Sequence, residues 1–265
     1  MSQLDSLVDG EKIRNRSHAI EYLLGRTLSV GSTKALILAG GQGVKLRPFT
    51  YEMPKVMLPI RGKPLLEHTI NSLRQAGVVD IIIAVDYLAD KVEGYFKDGS
   101  HLGVNIHYIK CKKGSRGTAE PFRAAQDLVG PEPFILHYGD VLAKIDYLDL
   151  LGFHQSQKHL ATMALTSVMD SSVWGVVGLR GSKVISFNEK PGGGAEDLSH
   201  LINAGIYVLS KDVYKYLSRD SISLEKELFP KLAKAGELYG YPFEGDWYDV
   251  GTAETYEKAL KNWIK

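Results

Sequence analysis

The sequence predicts an α/β fold built on a largely parallel sheet covered on both faces. Three observations carry that prediction: short apolar runs recur along the chain, segments of helical period separate them, and 44% of the 265 residues are apolar, enough for a sizeable core. Residues 34–39 form the first strand. Pro64 then opens a helix where its missing N–H costs little, with Leu65, Leu66, Thr69, Ile70 and Leu73 on one stripe before Gly77 stops it. Residues 81–85 read as the second strand, and a helix near 88–96, a strand at 104–109, a helix after Thr118 and a strand at 134–138 continue the alternation. From residue 161 the strands come closer together, at 161–168, 173–179, 184–188 and 202–209, which predicts antiparallel pairs before helices near 224–235 and 253–263. Residues 1–32 fit none of this and read as an N-terminal extension of unknown role. Within it, 18–24 has the spacing of a short amphipathic helix, and an appendage without a core role is the other reading. Residues 33–265 form the main domain, without linker composition, repeats or low-complexity tracts.

Composition narrows the function classes. With 32 basic and 31 acidic residues the formal net charge is +1, so no global field favours nucleic acid or an anionic membrane. The small basic stretch Lys-Cys-Lys-Lys-Gly-Ser-Arg at 110–116 is not interleaved with aromatics, which gives an RNA-binding reading little support. Cys111, the single cysteine, has no partner for an internal disulfide. The N-terminus carries Asp5, Asp9 and Glu11 in place of the apolar core of a secretory signal, so a reducing cytoplasm is the expected location. The most apolar stretch, 78–85, is interrupted by Asp80 and stopped by Asp86, far short of the ~20 residues a membrane helix needs.

The stretch Leu-Ile-Leu-Ala-Gly-Gly-Gln-Gly-Val-Lys-Leu-Arg-Pro at 36–48 sets glycines directly behind the first strand. It is not a dinucleotide fingerprint, because Leu46 stands where the third glycine belongs, and not a Walker A loop, because Val44 and Leu46 flank Lys45. What remains is a strand end releasing into backbone without side chains, whose amides can approach a base or phosphate, with Lys45 and Arg47 at hand for charge. On its own such a stretch is as readily a tight turn.

The wider context resembles a known signature. Residues 39–68 are similar to the A-G-G-x-G-T-R-L-R-P-L-T, P-K-x-[ML]-[LV]-P and G-K-P-[LI]-[LI] motifs of the sugar-1-phosphate nucleotidylyltransferases. Ser-Arg-Gly-Thr-Ala-Glu (115–120), His-Tyr-Gly-Asp (137–140), Phe-Asn-Glu-Lys-Pro (187–191), Asn-Ala-Gly-Ile-Tyr-Val (203–208) and Trp-Tyr-Asp-Val-Gly-Thr (247–252) follow in the family order, so the resemblance spans nearly all of 34–265. It implies a three-layer, Rossmann-like fold of the nucleotide-diphospho-sugar transferase kind, with a mixed, mostly parallel central sheet, and an activity of the EC 2.7.7 type. In that chemistry a sugar 1-phosphate oxygen attacks the α-phosphorus of a nucleoside triphosphate, pyrophosphate leaves, and a nucleotide sugar forms; positioning and charge neutralisation supply most of the catalysis.

The resemblance also implies the site. Asp140 and Asp249 correspond to the ligands of a Mg²⁺ ion, which needs few protein carboxylates because waters and phosphate oxygens complete its octahedron. Lys45, Arg47, Lys55 and Lys190 correspond to the catalytic cations. Leu38, Gly40, Gly41, Gly43, Lys112, Gly117 and Thr118 correspond to nucleotide contacts, and Gly139, Gly175, Glu189 and Asn203 to sugar contacts. The implied partners are a nucleoside triphosphate and a sugar 1-phosphate, with no nucleic acid and no membrane; homo-oligomerisation stays open. Three departures qualify this. Lys45 replaces an arginine, which keeps the charge and loses the planar fork. Lys112 falls where a Gln or Glu often reads the base, and a lysine only donates. Glu120 stands where Gly or Gln is common. The alternative is therefore a catalytically weakened, nucleotide-sugar-binding regulatory homologue. Residues 223–252 resemble the mannose-1-phosphate guanylyltransferase branch more than the glucose-1-phosphate thymidylyltransferase branch, pointing to a hexose 1-phosphate, mannose or glucose. With Trp263 almost the last residue, no β-helical acetyltransferase extension is expected.

Overall fold

A computed structural model describes residues 15–17, 32–111, 117–156, 159–192 and 199–263. The expected helix at 18–24 and the site residue Lys112 lie outside the described residues. The first strand, β1 (Lys34–Leu38), is apolar on both faces because it runs through the middle of a sheet. Ala35 and Ile37 enter one core, and Leu36 enters another on the opposite face. β1 pairs in parallel with β4 (Asp80–Val85) on one side and with β6 (Phe134–Tyr138) on the other. β5 (Asn105–Lys110) extends the parallel set beyond β4.

Between β1 and β4 lie a two-residue hairpin, β2 (Pro59–Ile60) with β3 (Lys63–Pro64), and helix α1 (Leu65–Gln75). Leu65, Leu66, Thr69, Ile70 and Leu73 are all buried, as their spacing requires, and the helix starts one residue after Pro64. Helices α2 (Ala89–Phe96) and α4 (Tyr147–Ser156) cover the same face as α1, contributing Phe96 and Leu150 to its core. Helices α3 (Ala119–Ala124) and α5 (Phe229–Ala235) cover the opposite face with Phe122, Phe229 and Leu232.

The sheet has nine strands in the order β5-β4-β1-β6-β11-β8-β12-β10-β9. Its second half uses β8 (Ala161–Ser167), β9 (Gly175–Arg180), β10 (Lys183–Glu189), β11 (Leu201–Leu209) and β12 (Leu238–Pro242). The expected antiparallel character holds for β11 against β6 and β8, and for β10 against β9 and β12, whereas β12 runs parallel to β8. The sheet is thus mixed, with its continuous parallel run confined to β5, β4, β1 and β6. The segment expected as one helix at 224–235 begins instead as a π turn, Leu224–Leu228, that passes directly into α5.

Two short strands escape any periodic signal: β7 (Val141–Ala143) and β13 (Trp247–Asp249), which form a separate antiparallel ribbon. A third apolar cluster, including Leu46, Leu58, Leu142, Val250 and Trp263, ties this ribbon to the loops after β1 and to the last helix, α6 (Ala253–Asn262).

Candidate active site

The chain leaves β1, crosses to β4 and later returns to β6 on β1's other side, so the carboxyl ends of β1 and β6 border the point where strand order reverses. Open α/β sheets bind ligands at such a point. A cavity of about 440 Å³ lies there, lined by Leu38, Gly40, Gly41, Gly43, Lys55 and Asp140, with Gly117 and Thr118 also on its wall. Two glycines of the loop differ in what they do. A Cβ at Gly43, where φ is +61°, would stand 2.9 Å from Thr50 Cγ2, so the fold itself requires glycine. At Gly41 the nearest atom to such a Cβ is Lys55 Cε at 3.9 Å, so the protein leaves that face open to a ligand.

One end of the cavity is charged. Lys55, on the 3₁₀ turn Lys55–Met57, makes an ion pair with Asp140, which follows β6 by two residues. Asp249 arrives from the far end of the sequence because β13 pairs with β7, setting Asp249 opposite Val141, and Val250 N donates to Asp140 O at 2.9 Å. Burial works against the charge of Lys55, but Asp140 and Asp249 hold its ammonium above the ordinary lysine range. Burial and the Asp140 charge raise the Asp249 carboxyl, while Lys55, Lys190 and Lys45 oppose the rise. Lys55, Asp140 and Asp249, from three separate motifs, are therefore brought together, with Lys190 and Lys45, from two more, in electrostatic range of Asp249. Lys190 sits at φ +47° with its amide on Trp174 O (2.9 Å), a left-handed conformation a non-glycine residue rarely adopts. Its Nζ reaches Glu189 Oε1 at 3.6 Å.

Arg47 takes a different place: its guanidinium lies over the Tyr51 ring, 4.9 Å from the centroid, and it is not on the cavity wall. Gly139 donates its amide to Leu38 O at 2.9 Å, and a Cβ there would meet that oxygen at 2.8 Å, so close packing on β1 accounts for this glycine. Gly175 lies opposite Glu189 in the β9–β10 register, and a Cβ would crowd Glu189 Oε2 at 2.9 Å. Burial, reinforced by nearby Glu225, raises the Glu189 carboxyl. Asn203 is fixed at both ends: Nδ2 donates to Tyr207 OH (2.7 Å) and Oδ1 accepts from Gly205 N (3.0 Å).

Sequence reasoning missed Glu225, Asp86 and Trp247. Glu225 accepts from Tyr138 OH and from Thr118 Oγ1 (2.8 Å), joining the cavity wall to the π turn. Asp86 lines the cavity, its carboxyl raised by burial and by Glu120. Trp247 Nε1 donates to Ala204 O (2.9 Å), and its ring meets Trp174 edge-on at 5.2 Å, anchoring β13. The only advance signal was position: Asp86 directly follows an apolar run, and Trp247 opens the stretch that contains Asp249.

A glycine loop and the Lys55–Asp140 pair at the carboxyl ends of parallel strands define an α/β protein with its ligand cavity at the switch point of the sheet. Within that class the chain belongs to the nucleotidyl transferase family, whose profile matches residues 34–265. It is 35% identical over 228 residues to the mannose-1-phosphate guanylyltransferase catalytic subunit beta of Danio rerio, and 36% identical over 228 residues to the mannose-1-phosphate guanyltransferase of Yarrowia lipolytica. Each match covers 84% of this chain but 62% of the relative, so the chain spans less than two thirds of the length of these relatives. Among solved structures, a Bacillus anthracis protein assigned as a glucose-1-phosphate thymidylyltransferase superposes with a TM-score of 0.80 at 26% identity, covering 86% of this chain and 94% of that one.

Proposed function

We propose that the chain transfers a nucleotidyl group from a nucleoside triphosphate to a hexose 1-phosphate, giving a nucleotide sugar and pyrophosphate. The observation that carries this reading is the Lys55–Asp140 ion pair at one end of a glycine-floored cavity, with Asp249 brought beside Asp140 by the β7–β13 pairing and Lys190 and Lys45 in electrostatic range of it. The glycine loop admits the nucleotide, and the lysines neutralise the phosphates as the sugar phosphate oxygen attacks in line and pyrophosphate departs. No general base is needed, because the attacking phosphate is already an anion near neutral pH. Lys55 is held protonated throughout by its carboxylate neighbours. The finer features of the fold reading, three layers of Rossmann-like type with residues 33–265 as one catalytic domain, belong to the same proposal.

Asp140 and Asp249 suit a divalent cation. Asp249 Oδ1 is buried with no hydrogen-bond partner, and an acceptor-only pair of carboxylates is the hard-oxygen set Mg²⁺ prefers. Bound there, the ion would supply charge neutralisation and orientation to the triphosphate oxygens. Among the described residues no group of three or more histidine, cysteine or carboxylate side chains could hold a metal ion.

The relatives are named for mannose 1-phosphate and guanylyl transfer, and Asp86 supports a donor-bearing base such as guanine, because a carboxylate on the cavity wall accepts from N1–H and N2–H₂. The proposal includes a cytoplasmic location; among the described residues no helix is long and apolar enough to cross a membrane. The test is a panel of five nucleoside triphosphates against several sugar 1-phosphates with Mg²⁺, read as pyrophosphate release. GTP with a hexose 1-phosphate is the expected best pair, and Asp140→Asn and Asp249→Asn should each abolish most turnover. Release with no pair, or near-normal turnover in both variants, would overturn the reading.

A further inference from the structure

One buried carboxylate gathers hydrogen bonds both from side chains on the cavity wall and from the π turn. Glu225 Oε2 accepts from Thr118 Oγ1 at 2.8 Å and from Ser223 Oγ at 2.6 Å, while Oε1 accepts from Tyr138 OH. The Tyr138 and Tyr207 rings pack with centroids 5.6 Å apart, and Tyr207 OH accepts from Asn203 Nδ2 at 2.7 Å. An ionised carboxylate has no hydrogen to give, so it dictates the direction of each bond that ends on it. The hydroxyl hydrogens of Thr118 and Tyr138 are thereby turned toward Glu225. Thr118 Oγ1 also accepts from Leu224 N at 2.9 Å, which fixes this side chain against the π turn. Both Thr118 and Tyr138 line the cavity. They consequently face a bound molecule with oxygen lone pairs, as acceptors.

We propose that Glu225 is a positioning residue for the nucleotide: it orients Thr118 and Tyr138 on the cavity wall. The proposal rests on the nucleotidyl-transfer reading and adds to it a residue to which the resemblance gives no role. A neutral glutamine at this position cannot serve as the same sink, because its NH₂ end donates and must meet either Tyr138 or the Thr118–Ser223 pair with the wrong polarity. One side of the network then reverses while volume and packing are kept.

The experiment compares wild type with Glu225→Gln, using the substrate pair selected by pyrophosphate release, and adds calorimetric titration with GTP and with mannose 1-phosphate as probes. The expected result is a rise of about tenfold in KM for the triphosphate, the scale of losing a charge-assisted hydrogen bond, with kcat and the KM for the sugar phosphate changed far less. A purely structural role predicts the opposite pattern: lower apparent kcat and a lower melting temperature with both KM values unchanged, and that outcome overturns the proposal. Unaltered KM for the triphosphate alone also overturns it. If wild type releases no pyrophosphate yet binds GTP, the transfer reading falls alone, and equal GTP affinity in Glu225→Gln then decides against the positioning role. Binding of neither probe by wild type removes both.

Discussion

Lys45 stands where the resembling motif carries arginine, and its side chain is exposed yet within electrostatic reach of Asp249. Arg47 is turned onto Tyr51, so under the proposed transfer reading Lys45 is the loop cation assigned to the triphosphate. Lys45→Ala should lower turnover by roughly 10² to 10³, the scale of removing one preorganised donor, whereas Lys45→Arg should keep or raise it, since a planar fork suits phosphate oxygens. Initial-rate measurements under saturating substrates check both, and indifference to Lys45→Ala would move the catalytic charge to Lys55 and Lys190. The glycines give a paired prediction. Gly41→Ala should weaken nucleotide binding with little change in melting temperature, because no protein atom crowds the new methyl. Gly43→Ala should destabilise the fold by about 1 kcal/mol or more and so lower the melting temperature, because the residue is left-handed and its new methyl would stand 2.9 Å from Thr50 Cγ2. Calorimetry and thermal melts separate the two. Both aspartates and the lysines were legible in the sequence because each lies in a local motif. The role of Glu225 was not, since its partners Thr118 and Tyr138 are 107 and 87 residues away.

At the scale of elements, the ribbon of β7 and β13 decides whether the two aspartates meet. Three residues per strand are too few for an alternation signal, so the sequence offered the motif around Asp249 without the strand that delivers it. Trp247 is the anchor of this ribbon. Trp247→Phe keeps much of the ring but leaves Ala204 O without its donor, a loss on the order of 1 to 2 kcal/mol. Turnover should fall along with this modest loss of stability, because Asp249 loses its fixed approach to Asp140. A variant with normal kcat would show that β13 holds its place without the tryptophan. The long strands and α1 were legible because burial on one or both faces imposes a period. The π turn at Leu224–Leu228 was not, because its register is set by Thr118 accepting from Leu224 N.

For the whole molecule, two buried histidines set the acid limit. His137 and His154 are both pushed down to about 4, chiefly by burial. His137 Nε2 has no hydrogen-bond partner, and His154 is held between Thr162 (3.0 Å) and Ser210 (3.2 Å). Their folded values lie below the unfolded value near 6.5, so the unfolded chain binds more protons between these limits and stability falls as pH drops from about 6.5 to about 4. The full effect is about 3 kcal/mol per histidine at most, from the linkage of proton binding to unfolding. Melting curves from pH 7 to 4.5 should show the decline, and His154→Gln should flatten it whatever its effect at pH 7; an unchanged slope would exclude His154. The sequence by itself determined the α/β class, the glycine loop behind the first strand, and the Lys55, Asp140 and Asp249 that the fold brings together, because those follow from local periodicity and from residue chemistry in contiguous motifs. Only the tertiary structure decided the mixed sheet order, the removal of Arg47 from the cavity, the packing role of Gly139 and the carboxylate sink at Glu225. Each of these depends on which distant segments pack together, and that is fixed by burial and hydrogen-bond satisfaction across the whole chain, which no local window contains.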